Sequence, residues 1–298
     1  MFKNAIMYRI APGWSFTAEE AEARLQDNHF VECGASQEKS IGWVEPRGEA
    51  HGPLLEVVAG QWILKLMTET RALPASVVNR KAQERVAQIE ASTGRKPGKK
   101  ETRDLKDDIR LELLPMAFTK QSSTTVWIDR EAQLLVTDAG SQARADELIT
   151  LLVQGLPGLA LSLVNTQISP SAAMADWLVS QQAPSGFSVD RESELKAADE
   201  SKAVVRYARH RLDTDEVRQH IEGGKMPTRL DLTWNDRVSF VLTEGLQLKK
   251  VAFLDVVFEG ASTGKDDGFD ADVAIATGEL QKALPALFEA LGGEVALA

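Results

Sequence analysis

Acidic side chains are concentrated near the carboxyl-terminal end of the sequence, where their carboxylates could bind a metal ion. Asp266, Asp267, Asp270 and Asp272 lie within one run of seven residues, and carboxylate oxygens are ligands that Mg²⁺ prefers. The run lacks the alternating ligands and the twelfth-position glutamate of an EF-hand loop. A solvated acidic loop is therefore the favoured interpretation, and a Mg²⁺-dependent nuclease that uses these four carboxylates remains an alternative.

Other groups with catalytic or metal-binding chemistry are sparse. His29, His51, His210 and His220 are scattered without the spacing of zinc ligands. The single cysteine, Cys33, has no close cation in the sequence and is predicted to be a small buried side chain. Glycine-rich phosphate loops and the common hydrolase motifs do not occur. We therefore predict no catalytic residue, no metal site and no cofactor.

Basic side chains form two dense groups that could bind phosphates. One lies between residues 95 and 106, and the other between 202 and 211, where no acidic residue occurs. If residues 203–209 form a strand, Arg209 and Arg211 share one side of it, because side chains alternate along a strand. Lysine and arginine attract backbone phosphates without reading base sequence. The predicted phosphate-binding residues are Lys96, Lys99, Lys100, Arg209, His210, Arg211, Lys225 and Arg229.

The net charge of the chain conceals these basic groups. The 298 residues include 34 Lys+Arg and 44 Asp+Glu, a formal net charge of −10, and that sum alone argues against a polyanionic partner. Segments 71–120 and 202–229 nevertheless contain more basic than acidic residues, whereas 255–298 is strongly acidic. Each basic group could also be a solvated surface balanced by acidic residues of the same chain. Charge alone leaves both interpretations open.

The elements that must position these residues are predicted to be short strands and flanking helices. Segments 126–136 and 230–241 read as β-hairpins. Thr17 begins a capping box, and helices are predicted at 141–156, 214–222 and 278–291. The mixture lacks a βαβ rhythm, so we predict an α+β fold with mainly antiparallel sheets. The predicted strands are 3–10, 61–68, 124–129, 133–137, 186–190, 203–209, 228–234, 237–242, 248–258 and 272–277.

One segment, between Pro74 and Pro115, is purely helical in its pattern. Two narrow apolar stripes flank the turn at residues 93–98, which predicts an αα-hairpin with polar outer faces. Such a hairpin either packs on its own domain or projects and pairs with another chain. The two stripes consist of Val78, Ala82, Val86 and Ile89, and of Leu105, Ile109 and Leu113. No run approaches the roughly 20 apolar residues of a membrane span, and the first residues lack a secretory pattern, so we expect a cytoplasmic protein without a membrane partner.

Short blocks spread over nearly the whole chain resemble, in order, those of the bacterial RdgC family of recombination-associated proteins. Each block is weak alone, but the ordered combination is specific. The sequence departs from the family at Ala208, where relatives can have another lysine, and at Pro97-Gly98, where a continuous lysine-rich helix is common. The blocks are FKNAIMYR at 2–9, GWVEP at 42–46, LLPMAF at 113–118, WID at 127–129, HIEGGK at 220–225, FDAD at 269–272, TGEL at 277–280 and EALGGE at 289–294.

The resemblance implies a DNA-binding protein without catalysis. Members of the family form a ring-shaped homodimer around a basic hole, bind DNA with little sequence preference and restrain RecA-promoted strand exchange. Double-stranded DNA is the favoured partner, single-stranded DNA is also allowed, and the expected location is the nucleoid. By the same resemblance, Arg209, His210 and Lys225 face the hole. Residues expected at dimer interfaces are Phe118, Val78, Val86, Ile89, Leu105 and Ile109.

The resemblance also implies three domains. We expect a central α+β domain at 1–73 plus 116–165, a projecting helical tip at 74–115 and a base α+β domain at 166–298. The rival hypothesis is an acidic protein-interaction module that binds a recombination protein directly, without DNA. Under that hypothesis the acidic surface is the working surface and the basic groups are merely solvated.

Overall fold

Twelve antiparallel strands form one continuous sheet in the computed structural model, which describes residues 2–259 and 268–295. The strand order is β2-β4-β5-β6-β1-β12-β11-β10-β8-β9, with β3 also paired to β4 and β7 to β1. The sheet is not closed into a barrel. Its strands are β1 Asn4–Ile10, β2 Lys39–Val44, β3 Leu55–Val58, β4 Gln61–Ala72, β5 Phe118–Asp129, β6 Leu134–Thr137, β7 Leu161–Leu163, β8 Phe187–Ala197, β9 Val204–Tyr207, β10 Lys225–Trp234, β11 Val238–Thr243 and β12 Leu248–Phe253.

Seven α-helices accompany the sheet within the described ranges. Thr17 closes the predicted capping box, because its side chain accepts the N–H of Glu20 while the Glu20 carboxylate accepts the N–H of Thr17. None of these helices combines the length and apolar character that a membrane crossing needs. The helices are α1 Ala18–Leu25, α2 Ala75–Thr93, α3 Lys99–Leu113, α4 Gln142–Gly155, α5 Pro170–Ser180, α6 Asp215–Glu222 and α7 Gly268–Ala290.

The first strand joins the two halves of the sheet. Its amino end pairs with β12, Asn4 opposite Lys249, and the strand then pairs with β6, Ile6 opposite Thr137. Alternate side chains of β1 enter different cores, because Met7 belongs to the core under α5, α6 and α7 while Ile6 belongs to the core under α1 and α4. One core therefore spans both halves of the sheet.

The second half of the sheet, β8 to β12, has one apolar and one polar face. Leu230 and Leu232 of β10 pack with α5, α6 and α7, so Arg229 and Asp231 point to the opposite side by alternation. We call that opposite side of β8–β12 the polar face. It is the surface on which charged side chains of several strands meet.

The helical pair α2–α3 leaves the sheet after β4 and returns at β5. Its small core consists of Val78, Ala82, Ile109 and Leu113. Helix α2 ends at Gly94, which has φ 68°, and α3 starts after Gly98, whose N–H donates to Glu101. The predicted αα-hairpin is therefore present, and Pro97-Gly98 lies in the turn between its helices.

The α+β prediction is confirmed, as are the two β-hairpins. Asn235 and Asp236 connect β10 to β11 with φ of 47° and 52°, the left-handed geometry of a tight hairpin turn. One strand prediction is wrong and two extend too far, because the strand predicted at 203–209 ends at Tyr207. Residues 272–277 belong to α7, whose buried positions recur at helical spacing, and the strand predicted at 248–258 ends at Phe253 before a 3₁₀ turn. The sequence pattern also missed β2, β3, β7 and α5.

Candidate nucleic-acid interface

The turn after β9 holds three of the predicted phosphate-binding residues. Strand β9 ends at Tyr207, and Arg209 adopts the left-handed conformation with φ 54°. The backbone N–H of His210 donates to the carbonyl of Arg191 at 3.1 Å, which anchors the turn to β8. The prediction that Arg209 and Arg211 share a strand face is therefore wrong, because the strand ends before either residue.

The three side chains of this turn have different surroundings. Arg211 donates two hydrogen bonds to the carboxylate of Asp213, at 3.0 and 2.6 Å, and this pairing raises the pKa of Arg211. The His210 ring lies 5.5 Å from the Tyr207 ring, and its Nδ1 is 2.6 Å from the carbonyl oxygen of Arg211. Arg209 is exposed, and no described carboxylate lies within ion-pair distance of it. Of the three, Arg209 is the cation most available to a phosphate.

A β-bulge separates Lys225 from Arg229, although both belong to β10. Pro227 pairs with Leu195 but Arg229 pairs with Glu194, so one extra β10 residue is inserted between them. Lys225 consequently lies on the side of α6, where its Nζ is 3.2 Å from Nδ1 of His220. Arg229 lies on the polar face. The structure does not bring these two predicted contacts together.

Lys225 and His210, two predicted phosphate-binding residues, also lie far apart along β8. Lys225 pairs with Ala197, whereas His210 is bound to Arg191. Six residues of strand correspond to roughly 20 Å. Such a spacing can serve separate phosphates of one nucleic acid, but it cannot converge on a single phosphate.

The turn of the α2–α3 hairpin presents a second group of cations. Arg95 is neutralised by Glu101 through hydrogen bonds of 3.1 and 2.6 Å. Lys96, Lys99 and Lys100 are exposed, and within the described ranges none of them has an acidic partner at ion-pair distance. These three lysines leave the hairpin turn with uncompensated positive charge.

Sequence reasoning missed the basic residues of β12. Lys250 has φ 52°, and a register irregularity between β11 and β12 inserts an extra residue at this point. Leu248 and Val251 both remain in the core, so Lys249 and Lys250 both lie on the polar face. Adjacent strand residues normally point to opposite faces, and the sequence carries no signal for this bulge.

Acidic residues share the polar face with these cations. Partial burial, followed by the charges of Asp190 and Glu192, raises the pKa of Asp231 to about 6. Lys250 opposes this effect and is itself paired with Glu192 at 2.6 Å. The face therefore carries both signs of charge, and its net effect depends on which groups are paired.

The predicted dimer-interface residues differ widely in exposure. Phe118 is 87% exposed at the start of β5, and Met116 beside it is 69% exposed. Val78 and Ile109 are buried inside the hairpin, at 4% and 2% exposure, so they can support an interface only by holding α2 and α3 together. The remaining three residues are half-buried: Val86, Ile89 and Leu105.

An arginine holds the segment that precedes Phe118. Arg71 donates to the carbonyl oxygens of Leu114 and Ala117, each at 3.3 Å, and to that of Cys33 at 3.1 Å. The burial predicted for Cys33 is confirmed, and it raises the pKa of the thiol. Arg71 thus fixes the direction in which the chain enters β5.

The acidic run falls only partly within the described residues, because Asp266 and Asp267 lie outside them. Asp270 is in the first turn of α7 and forms an ion pair with Arg47 at 2.6 Å, and Asp272 is exposed on the same helix. Among the residues that the structure describes, no group of three or more His, Cys, Asp or Glu side chains is placed to hold a metal ion.

Comparison with known proteins places the whole chain in one family. Residues 1–294 match the family described as "Putative exonuclease, RdgC". The chain is 45% identical to the recombination-associated protein RdgC of Dechloromonas aromatica (strain RCB), over 99% of this chain and 98% of that protein. It is 45% identical to the protein of the same name from Herminiimonas arsenicoxydans, over 99% of both chains, and 46% identical to that of Cupriavidus pinatubonensis, over 98% of both. The resemblance seen in the sequence is therefore confirmed, and the chain belongs to the RdgC family.

Proposed function

We propose that this protein binds DNA without sequence specificity, as a ring-shaped homodimer that encircles a duplex and restrains RecA-promoted recombination. The relatives are named recombination-associated proteins, which supports a role in recombination. The proposal places the protein at the nucleoid and assigns it no catalytic step. It retains the three domains expected from the sequence, 1–73 plus 116–165, 74–115 and 166–298.

The observation that carries the proposal is the set of exposed cations that lack a carboxylate partner among the described residues. An ion pair within the chain neutralises a cation, whereas an unpaired cation can replace the counterions of a phosphate and release them to solvent. These cations lie on the β9–α6 turn, on the polar face and on the α2–α3 turn. They are Arg209, Arg229, Lys96, Lys99 and Lys100.

The homodimer rests on the exposure of Phe118. A large aromatic side chain that is almost fully exposed loses apolar contact with water when a partner covers it. Arg71 holds the preceding carbonyls, so the ring of Phe118 is presented from a fixed backbone. We assign Phe118 to the dimer contact, with Val86, Ile89 and Leu105 as the half-buried residues nearest the hairpin turn.

Fluorescence anisotropy with a labelled duplex, measured across a salt series, tests DNA binding. We expect affinity to fall steeply as salt increases, because the contacts are to phosphates. The triple variant Arg209→Gln, Lys99→Gln, Lys100→Gln should bind more weakly and with a shallower salt slope. Lys282→Gln on α7 is the matched control and should bind like the unmodified protein. Affinity that is independent of salt, or unchanged in the triple variant, contradicts the proposed contacts.

Light scattering tests the homodimer. The mass of a single chain is 32.6 kDa, and the unmodified protein should have twice that mass in solution. Phe118→Ser should shift the population towards monomer. Phe258, another exposed phenylalanine, provides the control Phe258→Ser, which should leave the mass unchanged. A monomeric unmodified protein would rule out the ring.

The rival hypothesis, an acidic module that binds a recombination protein, is favoured by one observation. Asp190, Glu192 and Asp231 form an acidic group on the polar face. The rival predicts that RecA binds the protein in the absence of DNA, and that Asp190→Asn with Asp231→Asn weakens this binding. Our proposal predicts instead that restraint of strand exchange is lost in the triple DNA-binding variant.

The exonuclease activity in the family description has its own assay. End-labelled duplex and single-stranded DNA are incubated with the protein and Mg²⁺, and with the protein and a chelator. We expect intact DNA under both conditions. Cleavage that requires Mg²⁺ and is lost in Asp270→Asn or Asp272→Asn would replace our proposal with a metal-dependent nuclease.

A further inference from the structure

A cavity of about 210 Å³ opens on the polar face, lined by residues of all five strands from β8 to β12. Six of its ten lining residues are charged, four cations and two carboxylates. The backbone segment at Tyr207 and Ala208 and the side of β11 at Val241 complete the wall. The charged lining residues are Arg206, Arg229, Lys249, Lys250, Glu192 and Glu194.

Both carboxylates of the cavity are already engaged. Glu194 accepts a hydrogen bond from Nε of Arg206 at 2.6 Å and another from the hydroxyl of Thr228 at 2.9 Å. Glu192 accepts one from Nζ of Lys250 at 2.6 Å. Each carboxylate thus binds one cation directly, and the charge of Arg229, opposite Glu194 in the sheet, also helps to lower the pKa of Glu194. Four cations against two carboxylates leave the lining positive, with Arg229 and Lys249 making no hydrogen bond to a described carboxylate.

Arg229 and Lys249 line the same cavity, and neither has an acidic partner at ion-pair distance among the described residues. Partial burial and then the charge of Arg229 lower the pKa of Lys249, while Asp138 acts in the opposite direction. The carboxylate of Asp138 accepts hydrogen bonds from backbone N–H groups at residues 3–4. The Lys249 ammonium makes one hydrogen bond, to the carbonyl of Gly140 at 3.2 Å, and has donors to spare.

We propose that Arg229 and Lys249 together bind one phosphate group in this cavity. A phosphate has several acceptor oxygens, so it can accept from a guanidinium and an ammonium at once and relieve the repulsion between them. Leu230 and Leu248 lie in the core, so ordinary alternation places their neighbours Arg229 and Lys249 on the polar face. If the proposed function is correct, the group is a backbone phosphate of DNA. The same chemistry would also fit free phosphate.

The first arm of the test uses inorganic phosphate and no DNA. Thermal unfolding is compared in phosphate and in chloride at equal ionic strength and pH, because a ligand that binds only the folded state raises the melting temperature. Phosphate should raise it for the unmodified protein and less, or not at all, for Arg229→Gln and Lys249→Gln. Lys282→Gln on α7 is the matched control, since Lys282 is exposed and does not line the cavity, and it should keep the full increase.

The second arm measures duplex affinity across a salt series for the same variants. Loss of one phosphate contact should reduce the slope of log affinity against log salt concentration by about 0.9. If binding is equal at 1 M salt, the variant then binds the duplex about eight-fold more weakly at 0.1 M salt. If both cations bind one phosphate, the double variant should lose no more duplex affinity than whichever single variant binds the duplex more weakly. Additive losses in the double variant would overturn the shared site.

The two arms separate this inference from the proposed function. If the unmodified protein binds no DNA but the phosphate-dependent stabilisation needs Arg229 and Lys249, the proposed function fails and the phosphate site stands, with free phosphate as its ligand. If the protein binds DNA and the variants change neither the salt slope nor the stabilisation by phosphate, the site is refuted while DNA binding stands.

Discussion

Replacing Asp231 with asparagine should stabilise the protein at alkaline pH and have almost no effect at pH 4. Burial and the charges of Asp190 and Glu192 raise the pKa of Asp231 from 3.8 to about 6 in the folded protein. The folded state therefore holds this proton more tightly than the unfolded chain. The stability that this protonation contributes is present below pH 3.8 and is lost as pH rises towards about 6.

The expected change in the free energy of unfolding follows from the difference between the folded and unfolded pKa values of Asp231. One pKa unit corresponds to about 1.4 kcal/mol, so the full interval between the two pKa values would correspond to about 3 kcal/mol. Asp231 is only half-buried, and solvent screens its interactions with neighbouring charges. We therefore expect Asp231→Asn to raise the free energy of unfolding by about 1 kcal/mol at pH 8.

Urea unfolding at pH 4, 6 and 8 measures this change. Asp213→Asn is the control, because Arg211 lowers the pKa of Asp213, so the stability from that pair exists above the ordinary pKa and is lost as pH falls. Asp213→Asn should not stabilise the protein at pH 8. The reasoning is refuted if Asp231→Asn gives no gain at pH 8, or the same gain at pH 4.

Three further substitutions test contacts that shape the fold. Glu279→Gln breaks a two-bond ion pair with Arg237, both bonds 2.7 Å, and should lower the free energy of unfolding by about 2 kcal/mol in urea. Arg71→Ala removes the donors that hold the carbonyls after α3, so limited proteolysis should cut faster near Phe118, while Arg71→Lys should give partial protection. Gly42→Ala places a methyl group 2.5 Å from Cα of Phe30 and should reduce the melting temperature by several degrees.

Each of these expectations has a contrary result. Equal stability of Glu279→Gln and the unmodified protein at pH 7 would mean that water solvates the Arg237 guanidinium as well as the Glu279 carboxylate does. Unchanged proteolysis in Arg71→Ala would show that the backbone hydrogen bond of the 3₁₀ turn, from the N–H of Ala117 to the carbonyl of Leu114, holds the segment at residues 114–117 alone. An unaltered melting temperature in Gly42→Ala would mean that the loop carrying Phe30 moves without cost. Gly140→Ala, which meets no atom within 4 Å, is the control for the glycine substitution.

The local elements of the fold were largely predictable because their signals are local. The Asn235-Asp236 turn, the Thr17 capping box and the pairing of α2 with α3 depend on a few neighbouring residues, and all are present. The two predicted apolar stripes are confirmed only in part, because four of their seven residues form the core of the helical pair. Residues 272–277 were misread because a short β-branched and alanine-rich run fits either period. Their assignment depends on α7 as a whole, which packs across both halves of the sheet.

The candidate site was less predictable because two bulges decide which charges meet. Without the extra residue near Thr228, alternation would place Lys225 and Arg229, both predicted phosphate contacts, on the same face. Without the bulge at Lys250, alternation would send Lys249 and Lys250 to opposite faces. Both irregularities depend on the register of neighbouring strands, so they follow from long-range pairing and not from the residue types at the bulge.

Pairing within the chain gives the net charge of −10 its physical meaning. A carboxylate that binds a cation of the same chain removes two charges from the surface, and Glu194 with Arg206 and Glu192 with Lys250 do so beside the cavity. The cations left without such a partner in the cavity are Arg229 and Lys249. The charge available to a phosphate there is therefore positive, although the chain as a whole is acidic. Exposed ion pairs hold each other only weakly in salt. The sign of the charge that a ligand meets in the cavity therefore depends on whether the side chains keep each pair together. An acidic protein can therefore present a cationic cavity to an anion.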